Sequence, residues 1–239
     1  MTYFNDKKKA HLLLLGIIIS KKKEQKMVKS VIFDMDGTLL DSSSAMTYSV
    51  NYVRDIMGLG QIDKEFIENQ LNQPDGDLPM LLYGTKEYTK EQQNLFRNHY
   101  LENSSKFVKP YAGVSELLKY LKSQKISLSI ATNAPDIFAK QMLSSCKLDN
   151  FFDCIAGANH VEKTKPDPQM LQLICDKLSI SIEHSLFIGD SIKDEEAAKN
   201  ANMPFIFADW GYGNSTSAIN RQKDVSKLHS YFMKDLLST

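Results

Sequence analysis

Two aspartates two residues apart, Asp34 and Asp36, stand at the end of the apolar run Val31-Ile32-Phe33 and are followed at once by Gly37-Thr38. Side chains at i and i+2 of an extended strand point the same way. The pair can therefore address one reacting group, one carboxylate as nucleophile and the other as proton donor, a division of labour that suits phosphoryl transfer. An Asp-Gly pair behind a strand is also a common turn. Three further polar groups weigh against the turn alone, because they too follow apolar runs or open helical patterns: Thr132-Asn133 after the run ending at Ala131, Lys165-Pro166-Asp167-Pro168, and Gly189-Asp190 through Asp194 after Leu186-Phe187-Ile188. Taken singly, each has a plain structural role: Thr132 as a strand-end or capping residue, Lys165 as a solvated charge, and Asp194 with Glu195 and Glu196 as an acidic first helical turn. No folding rule asks for all four to recur in this way.

The elements that must carry these residues follow from the hydrophobic pattern. Five short apolar runs read as strands, at residues 31–33, 126–130, 152–156, 186–188 and 205–208. Between the second and third, Pro135 opens a helical turn, and Ile137, Phe138, Met142 and Leu143 recur at helical spacing; Met170, Leu171, Ile174 and Leu178 do so between the third and fourth. Strands alternating with single helices predict a parallel α/β sheet, in which ligands bind beyond the carboxyl ends of the strands. The interval 42–109 breaks the rhythm and reads as an inserted helical module. Asp41-Ser42-Ser43-Ser44 serves as incoming linker and helix cap, and Lys109-Pro110-Tyr111-Ala112-Gly113 as exit. Tyr48, Val53, Ile56 and Met57, and further on Leu95, Phe96 and Leu101, are its expected core positions, with a turn at Asn72-Gln73-Pro74-Asp75-Gly76. The domain layout is then an N-terminal extension at 1–26, a core from 27–41 and 110–239, and the module at 42–109.

A chain of 239 residues with 42% hydrophobic content buries one substantial core and a smaller satellite. Twenty-nine basic residues balance twenty-nine acidic ones. That removes the broad attraction a nucleic-acid binder relies on and favours a small-molecule partner. Cys146, Cys154 and Cys175 are odd in number and lack CxxC spacing, which argues against a disulfide framework or zinc site and for a reducing, cytoplasmic setting. The apolar block Leu12 to Ile19, between two lysine runs, is too short to span a bilayer, which needs about 20 residues, and no small-x-small cleavage site follows it. No stable membrane insertion is expected, and Met27 is an alternative start.

Asp34-x-Asp36-Gly37-Thr38, Thr132, Lys165 and Gly189-Asp190 with Asp194, taken in order, resemble the four motifs of the haloacid dehalogenase superfamily, over residues Met27 to about Gly213. The resemblance implies a Rossmann-like core of strand order 3-2-1-4-5 and makes the helical module the cap of phosphoglycolate phosphatase-like members. It implies Asp34 as the nucleophile that forms an aspartyl-phosphate and Asp36 as the acid that protonates the leaving alcohol. General acid help is worth about 10²–10⁴-fold, whereas phosphate monoester hydrolysis can need an acceleration approaching ~10²¹. Positive charge on the phosphoryl oxygens must supply much of the rest. Mg²⁺ is the implied cofactor, held by Asp34, the backbone carbonyl of Asp36, Asp190, and Asp194 directly or through water. Lys165 neutralises Asp34 and a phosphate oxygen together, while Thr132 and Asn133 bind the phosphate.

Within that superfamily Asp36 disfavours carbon–halogen cleavage, which has no leaving oxygen to protonate. Phosphonate cleavage requires a Schiff-base lysine from the cap, for which Lys64, Lys86 and Lys90 are the available residues. A sugar phosphomutase and a non-catalytic binding or regulatory protein on the same fold are the remaining alternatives to hydrolysis. The leaving group is read by cap side chains, with Arg54, Arg97, His99, Tyr83 and Lys86 as candidates. An arginine there would clamp a carboxylate, so 2-phosphoglycolate is the expected substrate within the class of small phosphomonoesters.

Overall fold

The computed structural model describes residues 28–71, 77–213 and 218–236. The expected N-terminal extension and the turn at 72–76 lie outside the described residues. Strand β1 (Ser30–Phe33) is followed by the short β2 (Leu40–Asp41) and then by four helices in succession, α1 (Ser43–Ile56), α2 (Lys64–Leu71), α3 (Leu78–Tyr83) and α4 (Lys90–Asn103). After β3 (Lys109–Pro110) the chain alternates through α5 (Val114–Ser123), β4 (Ser127–Ala131), α6 (Asp136–Ser145), β5 (Cys154–Ala156) and α7 (Gln169–Leu178). It continues through β6 (Ser185–Gly189), α8 (Ile192–Asn200), β7 (Phe205–Ala208), β8 (Arg221–Gln222) and α9 (Val225–Tyr231).

The main sheet is parallel, in the order β5-β4-β1-β6-β7-β8. Its first five strands are those read from the apolar runs, and their arrangement is 3-2-1-4-5: a Rossmann-like α/β core. β1 lies at the centre, buried along its whole length, as a strand covered on both faces must be. Its side chains alternate: Val31 and Phe33 join a core with Leu117 and Leu121 of α5 and Met142 of α6, while Ile32 joins Met170 and Ile174 of α7 and Ala197 of α8 on the other face. Phe33 is level with Ile130 and with Ile188. The register therefore delivers Asp34, Thr132 and Asp190 to one edge of the sheet.

Several details differ from the sequence reading. The second strand starts one residue later than expected. The third loses its first two residues, because Asp149–Phe151 form a 3₁₀ turn ahead of it. β8 was not anticipated; it is two polar residues long, with Arg221 paired to Asp209, and offers no apolar pattern. β2 and β3 pair antiparallel, Leu40 with Pro110 and Asp41 with Lys109, so the two linkers of the helical insertion run side by side as a ribbon.

The inserted helices carry a small core of their own, with Val50, Val53, Ile67, Leu82 and Tyr83 buried and Met46 and Met57 packed against them. Val53 and Met57 are thus core positions as expected, but Tyr48 and Ile56 are 48% and 52% exposed. At 3.6 residues per turn the stripe Met46-Val50-Val53-Met57 fixes the buried face of α1, and Tyr48 and Ile56 project about 170° and 90° from its middle. Among the described residues no helix is long and apolar enough to cross a membrane.

Candidate active site

β1 ends at Phe33, so Asp34 to Asp36 are not a strand, and the two carboxylates do not share one direction as the i, i+2 rule proposed. Met35 between them is fully buried. Asp34 turns toward Lys165, and Asp36 accepts a hydrogen bond from Ser42 Oγ at the start of the helical insertion. Both still line one cavity of about 430 Å³. Gly37 makes the turn that follows, at φ +85°, and a Cβ there would lie 2.3 Å from Asp190 Oδ2. Backbone conformation and space both require glycine.

The loop between β5 and α7 supplies Lys165, whose Nζ lies 2.6 Å from Asp34 Oδ1 and 2.6 Å from Asp194 Oδ1. Asn133 grips the backbone of that residue from both sides, accepting from Lys165 N at 3.0 Å and donating to Lys165 O at 2.9 Å. Its side-chain amide is engaged in holding Lys165 rather than free for a phosphate. Thr132 is buried, and its hydroxyl accepts from Ala134 N at 3.1 Å at the cavity wall. Asp194 has two partners. Oδ1 meets Lys165, while Oδ2 accepts from Ser191 N and Oγ in a capping box at the start of α8. Asp194 thus both opens α8 and stands beside Lys165.

Asp190 is oriented by Thr38 Oγ1, which donates to Oδ1 at 2.9 Å, and by Tyr212 N, which donates to Oδ2 at 2.9 Å. Asp34, Asp190 and Asp194 each offer a carboxylate oxygen within 4.8 Å of the others, and all three residues are buried. Lys165 is the ammonium placed between two of them. Burial lifts the Asp34 carboxyl well above the ordinary carboxylate range against the pull of Lys165, and burial followed by the Asp194 charge pushes Asp190 up to about 7. Asp36 is likewise raised by burial, against its bond from Ser42. Burial works against the charge of Lys165, but Asp194 and Asp34 outweigh it and raise its pKa. Three buried carboxylates against one ammonium leave a surplus of negative charge in oxygen donors alone. That donor set fits a hard divalent cation such as Mg²⁺.

Two contributors escaped the sequence reading. Tyr212, between β7 and β8, places its hydroxyl to accept from Ser42 N at 2.7 Å and Ser43 N at 3.1 Å, and donates to Asp41 Oδ1 at 2.8 Å. The first turn of α1 is thus capped by a phenol 170 positions away, and not by the Ser42 hydroxyl, which is committed to Asp36. Trp210 Nε1 donates to Thr38 O at 2.9 Å and braces the same turn. The available signal was the aromatic–glycine alternation Trp210-Gly211-Tyr212-Gly213.

Of the five specificity candidates from the helical insertion, only Tyr83 lines the cavity. The Arg54 guanidinium donates to Gly60 O at 2.6 Å and to Leu82 O. His99 sits beside Ser49 Oγ at 3.0 Å, stacked on Tyr52. Arg97 and Lys86 are exposed. None of Lys64, Lys86 and Lys90 is among the lining residues, which leaves the Schiff-base route without its lysine.

Comparison with known proteins agrees with this arrangement. A family model described as haloacid dehalogenase-like hydrolase matches residues 31–208. The chain is 29% identical over 208 residues to a phosphoglycolate phosphatase of Aquifex aeolicus, covering 84% of this chain and 96% of that protein. It is 28% identical over 188 residues to an N-acetylmuramic acid 6-phosphate phosphatase of Pseudomonas aeruginosa, covering 77% and 83% respectively. Its fold is similar to the crystal structure of a predicted phosphoglycolate phosphatase from Haemophilus somnus, with a TM-score of 0.74, 24% identity and coverage of 85% and 97%. The chain belongs to the haloacid dehalogenase-like hydrolases, as a phosphoglycolate phosphatase-like phosphoric monoester hydrolase.

Proposed function

We propose that the protein is a Mg²⁺-dependent phosphatase that hydrolyses a small phosphomonoester through an aspartyl-phosphate on Asp34. The observation that carries this reading is Lys165 Nζ at 2.6 Å from both Asp34 and Asp194, in a carboxylate cluster completed by Asp190, with Asp36 held apart beside Ser42. Mg²⁺, held by Asp34, Asp190 and Asp194 with the Asp36 backbone carbonyl, supplies charge neutralisation for the phosphoryl oxygens when bound. The Asp34 carboxylate attacks phosphorus, the bond from phosphorus to the ester oxygen breaks, and Asp36 gives its proton to the departing alkoxide. Burial favours the protonated form of Asp36 that this step needs. Water then attacks the phosphorus of the aspartyl-phosphate, Asp36 takes up its proton, and phosphate leaves with Asp34 regenerated. Lys165 and the Thr132 hydroxyl hold the phosphoryl oxygens, and Asn133 positions Lys165.

Residues 42–109 act as a cap over a core made by 27–41 and 110–239, excluding water from the cavity, with the β2–β3 ribbon as its hinge. The balanced charge and the small cavity support a small-molecule substrate in a cytoplasmic setting. Names of relatives bring 2-phosphoglycolate into the class, which makes it the reference substrate. The test is turnover in ¹⁸O-labelled water. Hydrolysis places solvent oxygen in free phosphate, and Asp34→Asn abolishes release while leaving the circular dichroism spectrum unchanged. A phosphoryl group returned to the product with little free phosphate would identify a phosphomutase, and substantial turnover by the Asp34 variant would remove the nucleophile assignment.

A further inference from the structure

We propose that the alcohol released by this enzyme is apolar, aliphatic or aromatic, and not a carboxylate-bearing two-carbon acid. The inference rests on the phosphatase reading and specifies its leaving-group class. The lining of the cavity is of two kinds. The core contributes Lys165, Thr132 and the carboxylates, with Lys193 from the helix that carries Asp194. Against these stand Met46, Val50, Leu82, Phe96, Phe138 and Met142. Tyr83, Tyr88, Gln92 and Gln93 add neutral polar groups to that wall.

Aromatic rings lead away from Asp36, the proposed proton donor. Tyr100, which interacts with both Ser42 and Asp36, is stacked on Phe96 at 5.3 Å between centroids, and Phe138 packs edge-on against both rings. Tyr100 donates its hydroxyl to Met142 Sδ at 3.0 Å. A leaving group protonated by Asp36 therefore extends along rings and thioethers. Among the described residues no arginine, lysine or histidine of the inserted helices lines the cavity, and residues 72–76, Asn-Gln-Pro-Asp-Gly, contain none. Arg54, the buried-side cation nearest this wall in sequence terms, spends its guanidinium on Gly60 O and Leu82 O. A carboxylate placed here loses its hydration without gaining a cation from the inserted helices, whereas an alkyl or benzyl group gains burial.

The experiment compares kcat/KM of the full chain with Mg²⁺ for ethyl, hexyl and benzyl phosphate and 2-phosphoglycolate. All four release alcohols rather than phenols, so the acidity of an aryl leaving group does not set the order. Benzyl and hexyl phosphate should exceed the other two by about tenfold or more, through KM, since a single methylene in an apolar pocket is worth about 10–200-fold. Phe96→Ala should lower benzyl phosphate turnover by about tenfold and ethyl phosphate by a smaller factor. Gln93→Arg, on the exposed rim of the cavity, should raise 2-phosphoglycolate relative to benzyl phosphate by about tenfold and does not depend on repacking the wall. The proposal is overturned if 2-phosphoglycolate is cleaved as well as benzyl phosphate, or if folded Phe96→Ala loses ethyl and benzyl activity equally. If no ester, including p-nitrophenyl phosphate, is cleaved, the phosphatase reading itself fails and the leaving-group assignment falls with it.

Discussion

Asp34, Lys165 and the segment from Asp190 to Asp194 lie far apart in the chain, yet each stood out in the sequence because it follows a strand-like apolar run or opens a helix. The structure adds what each side chain does locally. Asp36 does not join the carboxylate cluster but binds Ser42, which separates the proposed proton donor from the proposed nucleophile. Asp36→Asn should accordingly lower kcat for alkyl phosphates by about 10²–10⁴-fold. Steady-state turnover of p-nitrophenyl phosphate should fall as well, because Asp36 also accepts the proton of the attacking water. Single-turnover release of p-nitrophenol should fall much less, because that leaving group departs without a proton. Equal losses in the single-turnover release step on the two substrates would remove the acid role. Asn133 shows what reading residues singly leaves open: it lines the cavity beside Thr132, and its side-chain amide also clamps the Lys165 backbone, a role its sequence position did not announce. Arg54, Arg97, His99 and Lys86 fail as cavity residues for a related reason. Residue type advertises charge, but only packing decides which face of a helix carries it inward.

The five core strands were legible from apolar runs, whereas the two-residue β2, β3 and β8 were not. Two residues leave no period to detect, and their strand character exists only through the partner chain segment. The ribbon of β2 and β3 and the Tyr212 cap on α1 both belong to this hidden class. Tyr212 ties the first turn of α1 to the segment that orients Asp190, since its hydroxyl binds Ser42 N and Ser43 N while its own N–H binds Asp190. Tyr212→Phe leaves Ser42 N without its acceptor and Ser43 N with only the longer bond to Asp41 Oδ1 at 3.3 Å, and should cost about 1–2 kcal/mol, the usual range for a lost cap. Hydrogen exchange at Ser42 and Ser43 should accelerate while exchange in β1 is unchanged. Unaltered protection at both amides would show that the phenol does not hold the helix end.

At the scale of the whole molecule, the inserted helices and the Rossmann-like core both line one cavity that combines buried charged groups with apolar side chains. If the three buried carboxylates hold the proposed Mg²⁺, the ion would contribute to stability as well as to the proposed chemistry. Chelation should abolish turnover, and Ca²⁺ should restore it poorly because its larger, looser coordination displaces the in-line geometry. Mg²⁺ at 100 times its Kd should stabilise the fold by about 2.7 kcal/mol, which for a chain of this size raises Tm by roughly 5–10 °C. Full activity after chelation and dialysis, or an unchanged Tm, would contradict the site. The sequence alone determined the parallel α/β core, its strand order through the family resemblance, and the acidic and basic residues at the strand ends, because strand-length apolar runs and turn residues are local signals. Tertiary structure decided the apolar wall of the cavity, the partner of each carboxylate and the capping of α1. Those depend on side chains brought together across as many as 171 positions, and no local pattern encodes such a distance.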